Sequence, residues 1–128
     1  MSNPLAYSTH FKNKQATIAA TNVIVLLFQE DNAHIAYSPA LDLSGYGYSD
    51  EEAKSSFEIV LKNFLDVTTK KGTLFSELKR LGWKVKNEKL KIFKAPVFDD
   101  LLVSNSSLAK LIEEQVSMRP MLQPVHFA

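Results

Sequence analysis

The chain has 128 residues, no cysteine, a formal net charge of +1 and 45% apolar residues. That length fits one domain able to bury its own core, and the missing thiols exclude disulfides, thiolate nucleophiles and cysteine-ligated zinc. No window approaches the roughly 18 apolar residues of a membrane span, and the opening MSNPLAYSTHFK has no apolar h-region, so a cytoplasmic protein without a signal peptide is expected.

Residues 1–16 are polar and aperiodic and read as a loose N-terminal arm. NVIVLLF (22–28) is a continuous, partly β-branched apolar run, which suits a strand buried on both faces and starting near Thr17. QEDN (29–32) is a turn signal, and AHIAYS (33–38) alternates until Pro39 stops it, so the two runs form a hairpin. LDLSGYGY (41–48) reads as a third short strand with a glycine-permitted bend or bulge.

Ser49 followed three residues later by Glu52 is a capping box, in which Glu52 is expected to reach back to the Ser49 N–H. Asp50 and Glu51 add first-turn negative charge that suits the helix dipole. Ala53, Phe57, Val60, Leu61 and Phe64 recur at helical spacing, Lys70 and Lys71 occupy the last turn, and Gly72 is the stop, so a helix is predicted over 50–71. A second helix follows over 73–81, with Thr73 as N-cap and Gly82 as terminator. WKVKNEKLKIFK (83–94) alternates with period two. If Asn87 and Glu88 form a two-residue turn, Val85 pairs with Leu90 and Trp83 with Ile92, while Lys84, Lys86, Lys89 and Lys91 share the other face. A single strand over 89–93 is the simpler alternative. At the C-terminus, Leu108, Leu111, Ile112 and Val116 line one face of a helix capped by a Ser or Asn within 104–106, and Pro120 breaks the apolar tail that follows.

The order of hairpin, third strand and capped helix, with AYSPALDLSGYGYSDEEA over 36–53, resembles the N-terminal domain of the HicB antitoxin family. Pro39 and Leu41 match the Pro-x-Leu that closes the second strand in that family. Gly47, Ser49, Glu52 and Ala53 match the glycine and capped helix start. The resemblance spans roughly 23–71. It implies an α+β domain, a three- or four-stranded sheet carrying one helix in a partial ribonuclease-H-like arrangement, with no enzymatic activity. The role it implies is binding and blocking a small ribonuclease toxin. Many members add a C-terminal DNA-binding unit. Here the C-terminus has neither a helix-turn-helix nor a ribbon-helix-helix pattern, so DNA binding is not expected.

The residues themselves point away from catalysis. GYG lacks the further glycines and the Lys-Ser/Thr ending of a phosphate loop, and three acidic residues already occupy the helix N-terminus behind it. The strand-like segments offer Asp42 and little else toward a metal-dependent nuclease. Asp99–Asp100 and Glu113–Glu114 are adjacent pairs whose side chains diverge. His10, His34 and His126 have no ligand spacing, and no G-x-S-x-G elbow occurs. No metal or cofactor is expected. The ambiguous feature is the lysine face. From Gly72 to Lys94, seven basic residues stand against two acidic ones, a local charge of +5. It reads as a solvated sheet edge, a surface for an acidic protein, or an RNA-binding face.

The expected architecture is α+β in the order β-β-β-α-α-β: an antiparallel sheet drawn from 17–48 and 83–94, a main helix on one face, and a C-terminal helix. One domain spans 1–128, divided into the arm 1–16, the HicB-like core 17–95 and the helix and tail 96–128. The expected function is that of a non-catalytic HicB-like interaction protein, with RNA binding through the lysine-rich 79–94 segment as the alternative. An apolar tail without a core of its own suggests a homodimer whose contact uses Leu108, Leu111, Ile112, Val116 and Phe127.

Overall fold

A computed structural model describes residues 8–12, 17–87, 89 and 92–127. Its centre is β2 (Thr17–Glu30), a strand of 14 residues. Three others pair with it, all antiparallel: β1 (Ser8–Lys12) along Thr17–Thr21, β7 (Arg119–His126) along Ala20–Leu27, and β3 (Ala33–Ser38) along Leu26–Glu30. Beyond β3 lies β4 (Leu43–Gly47), which completes a five-stranded sheet. Asp31 makes the tight β2–β3 turn in the left-handed region (φ 56) that Asp tolerates.

Alternation along β2 sends its apolar side chains to two opposite faces, and both are covered. Val23, Val25 and Leu27 face a core shared with Ala53, Phe57 and Leu61 of α1 (Asp50–Lys71). Phe28, with Ile35 and Tyr37 of β3, faces the other way, where Leu111, Val116 and Met118 pack on it. The expectation of a strand buried on both faces therefore holds, with a helix on each side of the sheet.

The α1 boundaries coincide with the predicted ones because both ends are encoded locally. Ser49 accepts the Glu52 N–H through its hydroxyl at 3.1 Å. Glu52 reaches back one residue further than expected, accepting the Tyr48 N–H at 3.1 Å rather than that of Ser49. At the other end Gly72 sits in the left-handed region (φ 68), which lets Thr73 N–H bond Thr68 carbonyl at 2.8 Å in a Schellman closure. Ser49→Ala is expected to lower stability by about 1 kcal/mol, the usual loss for an N-cap. Urea unfolding checks it, and an unchanged midpoint would mean that the helix start does not depend on that hydroxyl.

Gly45 and Gly47 make neither a bend nor a bulge, contrary to expectation. Neither has a positive φ, and β4 runs in register with β3 through both. Their function is clearance. A Cβ on Gly45 would lie 2.2 Å from the Phe57 nitrogen and 2.6 Å from the Ala53 carbonyl oxygen, so α1 crosses the sheet almost backbone to backbone.

After α1 comes α2 (Leu74–Arg80), where Thr73 occupies the N-cap position but makes no side-chain cap bond. The next hairpin corrects the expected sheet. β5 (Lys84–Asn87) and β6 (Ile92–Lys94) form a separate two-stranded sheet. Its register differs too. Lys84 stands opposite Lys94, Val85 opposite Phe93 and Asn87 opposite Ile92, with an irregularity between Val85 and Asn87. A two-residue turn at Asn87–Glu88 would have put Val85 against Leu90. The tertiary anchor decides otherwise. Phe93 is 1% exposed, with its ring 4.7 Å from that of Phe127 and 5.4 Å from that of Phe75. Trp83, just ahead of β5, buries its ring and donates Nε1–H to the Ala40 carbonyl at 2.8 Å.

The C-terminal third departs most from expectation. A helix not predicted, α3 (Phe98–Ser104), precedes α4 (Ser106–Glu113), and Asn105 caps α4 by accepting the Leu108 N–H at 2.9 Å. The segment read as a Pro-broken tail is β7. Pro120 and Pro124 have the same parity, so both missing N–H groups fall on one edge of the strand. Among the described residues β7 pairs only with β2, and an edge strand tolerates such gaps. Part of the expected loose arm is also a strand, since Ser8–Lys12 forms β1; residues 1–7 and 13–16 lie outside the described residues.

Candidate functional site

Three polar assemblies stand out. The first is the basic hairpin. Lys84, Lys86 and Lys89 are exposed, Lys94 is half-buried, and Lys91 lies outside the described residues. The like charges of Lys84 and Lys94 face each other across the ladder. The hairpin that carries these lysines is separate from the main sheet.

The second assembly joins three elements at the N-terminus of α1. The β3–β4 register places Gly47 opposite His34, so the short connection brings Asp50 over His34. His34 Nδ1 lies 2.8 Å from Asp50 Oδ1, and Arg119 at the start of β7 donates Nη2–H to Asp50 Oδ2. These hydrogen bonds, His34 first and Arg119 second, hold the Asp50 carboxyl below the usual carboxylate range. Both carboxylate oxygens are engaged, so the group acts as an electrostatic clamp between β3, α1 and β7. Its folded pKa is depressed, so its contribution to stability is present at neutral pH and is lost as pH falls through that pKa.

The third assembly lies on the sheet face away from α1. Tyr37 donates its hydroxyl to Asp42 Oδ1 at 2.7 Å and accepts from Asn105 Nδ2 at 2.8 Å. Asn105 Nδ2 also donates to the Pro39 carbonyl at 3.2 Å. One side chain thereby caps α4 and ties it to the sheet. Asp42 holds a left-handed backbone (φ 54) at this corner. Beside the network, between the sheet and α4, opens a cleft of about 440 Å³. Burial is the main cause that pushes the Tyr37 hydroxyl up from 10.0 to about 12, with Asp42 adding to it and Asn105 opposing. The sign follows. A folded pKa above the unfolded one contributes stability that is full below pH 10 and is lost as pH rises to about 12. We expect an ultraviolet absorbance titration to show one tyrosine ionising only near the top of that window, accompanied by a falling urea midpoint. Tyr37→Phe should delete that step. A titration without a late step would mean that the hydroxyl is open to water.

A larger groove, about 530 Å³, runs between α1 and β7. Its rim alternates Glu58, Lys62, Asp66 and Lys70, so no single charge sign converges on it. Among the described residues no three His, Cys, Asp or Glu side chains gather in a metal-holding arrangement, and no helix is long and apolar enough to cross a membrane.

The residues expected at a dimer contact are mostly committed within the chain. Leu108 is fully buried and Phe127 is 4% exposed, its ring edge-on to Trp83 at 5.9 Å. Leu111 and Val116 pack on Phe28, Ile35 and Tyr37. Leu111 and Val116 stay half-buried, and Ile112, 41% exposed, is the most exposed of the five. The physical reason is β7: it covers the edge of β2 that the sequence left without a partner, so the apolar run needs no second subunit there. Sequence reasoning missed the Tyr37–Asp42–Asn105 network and the Asp50 clamp. The cap signal at Asn105 was visible, but its tie to Tyr37 spans 68 residues. No family model, curated protein or solved structure matches the chain.

Proposed function

We propose that this chain is a non-catalytic, HicB-like interaction protein that acts as the antitoxin partner of a small ribonuclease toxin. The observation that supports this reading is the unit β2–β3–β4–α1: three successive antiparallel strands leading, through the tight crossing at Gly45, into a Ser49-capped helix. It is the arrangement that the resemblance implies. The polar groups agree with a binding role, since Asp50 and Asp42 are tied into structural hydrogen bonds rather than poised beside a nucleophile. DNA binding is outside the proposal. A single residue, Asn105, joins α3 to α4, whereas a helix-turn-helix needs a three- to four-residue turn.

The test is reconstitution with the product of a short adjacent reading frame that encodes a double-stranded-RNA-binding-like protein. The expected result is a stoichiometric complex by calorimetry and relief of the growth arrest that the frame causes alone. The absence of such a frame, or a neighbour that neither binds nor arrests growth, overturns the reading.

A second reading, RNA binding, rests on the apposed Lys84 and Lys94 with exposed Lys86 and Lys89 nearby. It requires a steep fall of affinity with salt, because each neutralised phosphate releases counterions, and loss of that slope when Lys84, Lys86, Lys89 and Lys91 become Gln. We expect no such complex at physiological salt; a submicromolar one there would reverse the order of the two readings.

A further inference from the structure

We infer that the cleft between the outer sheet face and α4 is a docking site for a cationic, apolar-flanked peptide segment of a partner protein. This rests on the interaction-protein reading above and names the chemistry of the segment recognised. The cleft's volume of about 440 Å³ lies within the usual range of ligand pockets. Its base is apolar and aromatic: Phe28, Ile35 and Tyr37 of the sheet are buried there, and the half-buried Leu111 and Val116 pack on them and line the cleft. Tyr46 stands at the rim and is 60% exposed, although its register partner Ile35 is buried. An exposed tyrosine beside a buried aromatic floor is the composition of a binding hot spot.

Charge selects the occupant. Glu30, Asp42 and Glu114 line the cleft, and the one cation among its lining residues, Lys110, lies 3.9 Å from Glu114. Three carboxylates against one ammonium give a negative opening beside the exposed Tyr46 ring, which attracts a guanidinium or ammonium and repels phosphate. A bare polyamine would meet those charges but would leave the exposed Tyr46 ring and the half-buried Leu111 and Val116 uncovered. A peptide that carries Arg or Lys between apolar side chains meets both demands. The site is also held in shape before binding. Asn105 fixes the start of α4 to Tyr37 and the Pro39 carbonyl, so little ordering is needed on association.

The test titrates the full chain with acetyl-Leu-Arg-Leu-Arg-Phe-amide, followed by calorimetry and amide chemical shifts. Parallel arms use the same peptide with Gln for Arg, an acidic analogue with Glu for Arg, spermidine, and a short single-stranded RNA. The variants are Glu30→Gln with Glu114→Gln, and Tyr46→Ala; all three side chains are exposed, so the fold is expected to survive, and circular dichroism verifies it. The expected result is saturable binding of the Arg peptide with shifts confined to the end of β2, β3, β4 and the α4 region, weakened about tenfold by the double Gln variant and again by Tyr46→Ala. The Gln and Glu peptides, spermidine and RNA should bind more weakly by at least that factor. Equal binding of the acidic or neutral peptide, equal binding of spermidine, RNA displacing the peptide, no saturable binding, or variants that leave affinity unchanged would each overturn the inference. The two readings fail separately. If the ribonuclease complex forms but ignores both variants, the cleft is wrong and the function stands; if the peptide binds as described and no ribonuclease partner exists, the reverse holds.

Discussion

A chain truncated after Ser117 is expected to lose cooperative folding altogether. The segment it lacks contains β7, whose eight register pairs with β2 run from Ala20 to Leu27. It also removes Val125 and Phe127, which are 1% and 4% exposed. Each such side chain contributes about 1.5–3 kcal/mol by leaving water. Phe127 counts further, because its ring meets both Trp83 and Phe93 and so holds the β5–β6 hairpin to the core. Without β7 the edge of β2 bearing Val23 and Val25 opens to solvent, and Asp50 loses Arg119. The combined loss rivals the whole stability of a typical domain, about 5–15 kcal/mol. Thermal unfolding by circular dichroism tests this: a broad, non-cooperative trace is expected. A sharp transition near that of the full chain would mean that the C-terminal strand is an accessory to the sheet rather than part of its core.

Gly45→Ala is expected to cost about 3 kcal/mol or more, at the upper end of overpacking effects. The obstacle is backbone rather than a side chain that can rotate away. The new methyl would sit 2.2 Å from the Phe57 nitrogen and 2.6 Å from the Ala53 oxygen, so α1 must lift from the sheet. Lifting it loosens Phe57, which is 1% exposed, together with Ala36 and Ala53, which are fully buried. Equilibrium urea unfolding should show a lower midpoint with an unchanged slope. A change below about 1 kcal/mol would show that the helix crosses the sheet with room to spare. The same substitution at Gly47 meets the Glu52 Cβ at 2.4 Å and the Ala53 nitrogen at 2.8 Å, in the first turn of α1.

The parts of this fold that could be read without coordinates are those whose causes lie within a few residues. α1 begins where Ser49 accepts the Glu52 N–H and Glu52 reaches back to the Tyr48 N–H, and it ends where Gly72 takes a left-handed backbone, so its range followed from cap residues and spacing. The β2–β3 hairpin followed from a short polar turn between apolar runs. The glycines of GYG were conspicuous, but whether they bend a strand or admit a helix depends on what crosses them, and Phe57 lies twelve residues away in sequence. α3 carries no local announcement, since Val97 at its N-cap position makes no side-chain cap bond. In β7 the prolines at 120 and 124 signal breakage unless the strand has one open edge, and that depends on β2 occupying the other. The hairpin register was set by Phe93 entering an aromatic cluster with Phe75 and Phe127 rather than by its turn. The cleft under α4 is the extreme case. Its floor comes from β2 and β3, its rim from β4 and its wall from α4, held by a hydrogen bond between residues 37 and 105. Local hydrogen bonds and periodicity specify elements because they act within one or two turns of chain; edges, registers and clefts arise only when distant segments compete to bury the same surface.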